Sequence, residues 1–103
     1  MKKIIDTLNK TKLDNRIRLG IMSILVVNDS VDFVELKNML GVSDGNLASH
    51  LRVLEKEKYI AFEKKFVGRK PKTSYRATDR GRQAFEAHLA ALEVLLGRKE
   101  EEE

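Results

Sequence analysis

Two amphipathic helical patterns lie almost end to end in the middle of this chain, and the short break between them restricts how they can pack. Phe33, Leu36 and Leu40 recur at spacings of three and four, and Gly41 then supplies the C′ residue that ends a helix. Two residues later Ser43 is a good N-cap, and Leu47, Leu51 and Leu54 carry a second helix to about Lys58. Two helices joined by so tight a glycine-containing turn make a helix-turn-helix.

Other elements flank this pair. Ile4 and Leu8 predict a short amphipathic helix before Thr11-Lys12. Ile17, Ile21, Ile24 and Leu25 mark one face of a core helix running from Asp14, its expected cap, to about Val27. Asn28-Asp29-Ser30 stops it, and Val31-Asp32-Phe33 reads as a minimal strand. After Lys58 the period drops to two: Ile60, Phe62, Lys64 and Phe66 alternate with Ala61, Glu63, Lys65 and Val67. Gly68 to Lys72 is then a loop and Thr73 to Ala77 the returning strand, so the pair is a hairpin with a basic tip. Thr78 caps a last helix with Phe85, Leu89, Leu92 and Leu96 on one seam, and Gly97 ends it.

The predicted class is therefore α+β, mainly α with one small β-hairpin, in the order of a winged helix-turn-helix with added N- and C-terminal helices. At 103 residues, with neither internal repeat nor linker, the chain is expected to be one domain over 1–97. The charged tail 98–103 is expected to be solvated and disordered. The absence of Cys removes disulfide scaffolds, thiol nucleophiles and thiolate metal sites together. The longest apolar run, Ile24 to Val27, is far below a membrane span, and Met1-Lys2-Lys3 precedes no signal-peptide core, so a cytoplasmic protein is expected.

The net charge of +4 hides an uneven layout. Residues 56–82 hold ten Lys and Arg against three Asp and Glu, a surplus of seven, whereas residues 28–55 have a deficit of three and residues 83–103 a deficit of four. A surplus of that size attracts a polyanion, although it also fits a solvated Lys-rich face.

In a winged helix the second helix of the motif enters the DNA major groove and the hairpin lies along the backbone. With Leu47, Leu51 and Leu54 inward, Gly45, Asn46, Ser49, Arg52 and Val53 turn outward. Arg can pair with guanine, Asn with adenine, and Ser with a base edge or phosphate, while Gly45 lets the helix N-terminus approach the backbone. Each also has a bland reading: Arg52 as an ordinary surface cation, Asn46 as an aid to the cap. Ser43 and Asp44 open the same helix, and His50, nearer the core side, is a secondary candidate. At the hairpin, Arg69, Lys70 and Lys72 suit phosphates or a narrow minor groove, and of Lys64 and Lys65 one must face away by strand alternation.

The run Ser43-Asp44-Gly45-Asn46-Leu47-Ala48-Ser49-His50-Leu51-Arg52-Val53-Leu54, followed by Gly68-Arg69-Lys70-Pro71-Lys72-Thr73 and Ala77-Thr78-Asp79-Arg80-Gly81-Arg82, resembles small prokaryotic winged-helix transcriptional regulators. The upstream run Leu13 to Leu19 fits as well, and the likeness spans about Leu13 to Leu96. The Ser-His-Leu-x-x-Leu segment is similar to that of ArsR-like repressors, and Thr-x-x-Gly-Arg to that of MarR-like ones. The resemblance implies a homodimer on operator DNA, with the recognition helix at 43–57 and the wing at 64–73. Metal-sensing ArsR-like proteins use Cys, His and carboxylate ligands, whereas this chain has no Cys and only His50 and His88, so no metal and no other cofactor is expected. The seam of Phe85, Leu89, Leu92 and Leu96 independently suggests dimerisation through the helix at 78–97, unless it packs wholly within its own domain. A two-fold dimer predicts an inverted-repeat operator. Whether a small-molecule effector exists is left open.

Two other readings survive. A winged helix also serves as a protein-interaction or architectural module, which would make the basic hairpin incidental. An RNA-binding winged helix is disfavoured, because the helix suits the B-form major groove and few exposed aromatics are expected to stack bases. An enzyme is not expected: there is no phosphate loop, and Ser49 and His50 point about 100° apart on a helix.

Overall fold

Side-chain caps decide where the helices of this chain begin. The computed structural model describes residues 2–98 and residue 100. Helix α1 spans Lys2–Thr11 and α2 spans Arg16–Leu25. Asn15, not Asp14, caps α2: its Oδ1 accepts from the backbone N–H groups of Ile17 and Arg18, both at 3.0 Å. The helix ends at Leu25, two residues earlier than the apolar run suggested. Asp32, after the short strand β1 (Val31–Asp32), accepts from Glu35 N–H at 2.9 Å and starts α3 (Phe33–Leu40). Ser43 does the same for α4 (Asp44–Lys56), and Thr78 for α5 (Asp79–Leu95).

Gly41 adopts φ +65° at the end of α3, as its position in the sequence predicts. Helix α4 stops by the same device without a glycine. Lys58 takes φ +63°, its N–H bonds Glu55 O, and Tyr59 N–H bonds Leu54 O, which together form a Schellman cap. The chain thereby turns directly into β2 (Ile60–Val67).

The hairpin is tighter than expected. Val67 pairs with Lys70, leaving only Gly68-Arg69 as the turn, and β3 runs from Lys70 to Ala77 where the sequence suggested Thr73 to Ala77. Gly68 has φ +66° at the first of two central positions, the place where a two-residue turn needs that conformation. Pro71 therefore lies inside β3, where its missing N–H does no harm because β1 pairs with β3 only at Tyr75 and Ser74.

Among the described residues there are five helices and a three-stranded antiparallel sheet in the order β1-β3-β2. One core gathers Leu13, Ile21, Met22, Leu25, Leu36, Leu47, Leu51 and Leu54 from α2, α3, α4 and the segment before α2, with Tyr59, Ile60, Tyr75 and Ala77 from the sheet side. A second, smaller cluster joins α1 to α5 through Ile4, Leu8 and Ala91, with Leu92 and Val94 packed against it. At its edge Thr11 and His88, both buried, share a 2.7 Å hydrogen bond. No described helix is long and apolar enough to cross a membrane. Of the expected tail, Lys99 and the last three glutamates lie outside the described residues.

Candidate nucleic-acid interface

Helix α4 presents two sharply different sides. Leu47 and Leu54 are fully buried and Leu51 nearly so, while Gly45, Asn46, Ser49 and Arg52 are exposed on the opposite side. The heptad-like spacing of the leucines causes this division, because residues at i+2, i+5 and i+6 fall across the helix from those at i and i+4. Gly45 is informative because nothing in the fold requires it. An added Cβ would meet nothing within 4 Å, and its φ is not positive, so the helix carries a poor helix former with no packing reason.

The flanking candidates have internal duties. Ser43 Oγ caps the helix, and Asp44 forms an ion pair of 2.9 Å with Lys37 that ties α3 to the start of α4. His50 is half-buried, with Nδ1 shielded from solvent and unbonded among the described residues. Burial, and then the Arg18 charge, lower its pKa below 6.5, which keeps the imidazole neutral.

The hairpin register separates its cations by face. Cross-strand partners share a face, so Ile60 and Phe62 lie with Ala77 and Tyr75 on the core side, and Lys64 and Phe66 continue that side outward opposite Thr73 and Pro71. Lys65 pairs with Lys72 and Val67 with Lys70 on the other face. Lys64 and Lys65 lie on opposite faces, as alternation requires, and the register puts Lys64 on the core-side face, which alternation alone left open. Arg69 and Lys70 are exposed at the tip. Lys72 is engaged: its Nζ lies 3.1 Å from Asp32 Oδ2.

The basic surplus of residues 56–82 is only partly available to a ligand. Arg80 donates to Glu57 O at 2.8 Å and stands over the Tyr59 ring, and Arg82 donates to Val26 O at 2.7 Å. Both arginines tether backbone carbonyls at loop ends. One expectation is corrected. Phe62 and Phe66, on the core-side face of the hairpin, are 51% and 76% exposed, so the surface does carry aromatics. Along this face exposure rises from buried Ile60 through Phe62 to Phe66, as the hairpin leaves the core.

The four seam residues of α5 also divide. Phe85 packs against the main core and Leu92 against the α1 cluster, whereas Leu89 and Leu96 remain 37% and 65% exposed. Ile5 of α1 and Leu95 add to the uncovered apolar surface of the α1–α5 pair.

A capped helix-turn-helix followed by a basic hairpin is the geometry of a known domain family, and residues 17–96 match the family model of the winged helix DNA-binding domain. The chain belongs to that family. An uncharacterised protein of Methanocaldococcus jannaschii is 32% identical over 73 residues, which cover 71% of this chain and 79% of the relative. The structure of a transcriptional regulator homologue from Pyrococcus horikoshii OT3 superposes with a TM-score of 0.84 at 29% identity, covering 94% of this chain and 96% of the other. A mutant MarR from E. coli complexed with operator DNA shares the fold at 20% identity, with a TM-score of 0.67 over 92% of this chain and 70% of that one. This winged helix is thus built like transcriptional regulators, as the sequence resemblance implied.

Proposed function

We propose that this winged-helix protein is a homodimeric, cytoplasmic transcriptional repressor that binds an inverted-repeat operator in double-stranded DNA. The observation that carries this reading is the exposed side of α4, where Gly45, Asn46, Ser49 and Arg52 form a compact polar surface opposite three buried leucines. In the proposal, Asn46, Ser49 and Arg52 reach base edges, while Gly45 lets the helix N-terminus and its unpaired N–H groups sit against a phosphate. Arg69 and Lys70, with Lys64 behind them, supply sequence-independent attraction to the backbone or minor groove. Ser43 and Asp44 hold the exposed start of the helix at the DNA, His50 lies on its half-buried flank, and Lys72 reaches a phosphate when it leaves Asp32.

The dimer is supported by the uncovered Leu89 and Leu96 on α5, with Phe85 and Leu92 holding that helix to its own domain. Two-fold pairing places two recognition helices on half-sites about one DNA turn apart, roughly 34–36 Å. Such a dimer blocks its site by occupancy, which is why repression is the reading.

The test is a fluorescence-anisotropy titration of the protein against genomic fragments that include its own promoter, with random duplex and RNA as competitors, at two salt concentrations. Tight, salt-sensitive binding that one fragment wins is expected. Failure to bind any duplex at low salt would replace this reading with that of a protein-interaction module.

A further inference from the structure

Beyond Thr73 the hairpin stands as a two-stranded ribbon with no third strand beside it among the described residues, because β1 pairs with β3 only at Ser74 and Tyr75. From Lys64 to Lys72 every residue is exposed. Between Lys64 and Thr78 the chain holds six Lys and Arg and no Asp or Glu. Phosphate attraction accounts for those cations, yet it does not account for Phe66, 76% exposed, or Val67, 62% exposed, immediately before the turn. Phe66 lies opposite Pro71, so the end of the ribbon carries an apolar pair on one face, with Arg69 in the turn beside it. A large exposed aromatic on a projecting, uniformly cationic arm needs an occupant that is both polyanionic and apolar inside. The minor groove of duplex DNA meets both requirements, with phosphate walls and sugar and base-step surfaces between them.

We infer that the wing tip is a wedge: Phe66, backed by Pro71, enters the minor groove and partly unstacks a base step, so that the protein bends the DNA it binds. Arg69 then lies in the same groove and Lys64 and Lys70 hold the flanking phosphates. The two-residue turn suits this role, since a longer loop would blunt the tip. The inference rests on the duplex-binding reading above and adds a deformation that phosphate contacts alone do not require.

The experiment uses the full chain and a 30-base-pair duplex rich in A·T pairs with a central TA step, labelled at both ends for energy transfer. Anisotropy of the same duplex reports binding separately. Wild type is expected to bind and to raise energy transfer, because bending brings the ends together. Phe66→Ala is expected to bind at most about tenfold more weakly and, at saturation, to leave transfer at the value of the unbent duplex. Phe66→Leu, which keeps an apolar wedge, is expected to retain most of the rise. Binding without bending by wild type, or equal bending by Phe66→Ala, overturns the wedge and leaves duplex recognition standing. Absence of duplex binding overturns both. A Phe66-dependent affinity for a single-stranded oligonucleotide or for anionic phosphatidylserine vesicles, without duplex bending, likewise overturns the wedge.

Discussion

Asp32 Oδ2 and Lys72 Nζ meet at 3.1 Å, linking the cap of α3 to the strand that carries the wing. Asp32 is only 6% exposed, and its Oδ1 accepts the Glu35 N–H. Desolvation pushes its carboxyl up, but the Glu35 bond and the Lys72 ammonium outweigh that and hold it below 3.8. A carboxyl with a depressed folded pKa stabilises the fold above its unfolded value, and that stability is lost as pH falls through the folded value. Asp32→Ala should therefore cost about 1–2 kcal/mol at neutral pH through the lost cap and flatten acid unfolding below about pH 4. Asp32→Asn keeps a cap and releases Lys72. Its random-duplex affinity should rise, with a salt slope steeper by about one ion, as read by anisotropy from low to high salt.

Two glycines separate fold from function. At Gly81 an added Cβ would sit 2.0 Å from the Tyr59 carbonyl oxygen, whose position is set by the Thr78 N–H bond at 3.0 Å. Alanine's gain in helix propensity, about 1 kcal/mol, is outweighed by overpacking of about 1–3 kcal/mol or more. Gly81→Ala should lower the thermal midpoint. At Gly45 no such contact exists, so Gly45→Ala should leave stability equal or raise it by up to about 1 kcal/mol while weakening duplex binding. Paired melting curves and anisotropy titrations check both.

His88 is 1% exposed and bonded to Thr11 at 2.7 Å between α1 and α5. Burial lowers its pKa from 6.5, with Asp14 opposing, so the folded protein holds it neutral. The unfolded chain takes up a proton first as pH falls, so this contribution is complete above about pH 6.5 and declines below it. Thermal melts should show a falling midpoint from about pH 6.5 to 5, and His88→Gln should reduce that slope, leaving the share that belongs to the half-buried His50. An unchanged slope in the variant would assign it elsewhere.

Leu89 and Leu96 are the exposed members of the α5 seam, so charge placed there should break a dimer without unfolding a protomer. Leu96→Lys or Leu89→Lys should halve the mass in sedimentation at micromolar concentration while keeping the far-ultraviolet circular dichroism. Leu92→Lys, which strikes the α1 contact, should lower stability as well.

The sequence made the helix-turn-helix legible because its signals are local: Gly41, Ser43 and the leucines of α4 act within one or two turns of themselves. It placed the end of α4 within two residues but not the device that ends it, since Lys58 occupies a left-handed position usually taken by glycine. Nor did it reveal the length of the turn, because Gly68 to Lys72 contains both loop-forming residues and a proline that a lightly paired strand tolerates. Charge counting found the wing but could not separate Arg69 and Lys70, which face solvent, from Arg80 and Arg82, which bond distant carbonyls. Those partners are 23 and 56 residues away in sequence, so only the folded chain brings them together.

The central claim is that α4 reads base sequence while the wing supplies general affinity. The most direct test is competitive anisotropy of wild type, Arg52→Ala and Arg69→Ala on the preferred duplex, single-base variants of it, and random DNA, across a salt series. Arg52→Ala should lose about 1–3 kcal/mol on the preferred duplex alone and relax preference at one position in each half-site. Arg69→Ala should weaken binding to all duplexes alike and reduce the salt slope by about one. Equal losses on preferred and random DNA for both variants would contradict the account.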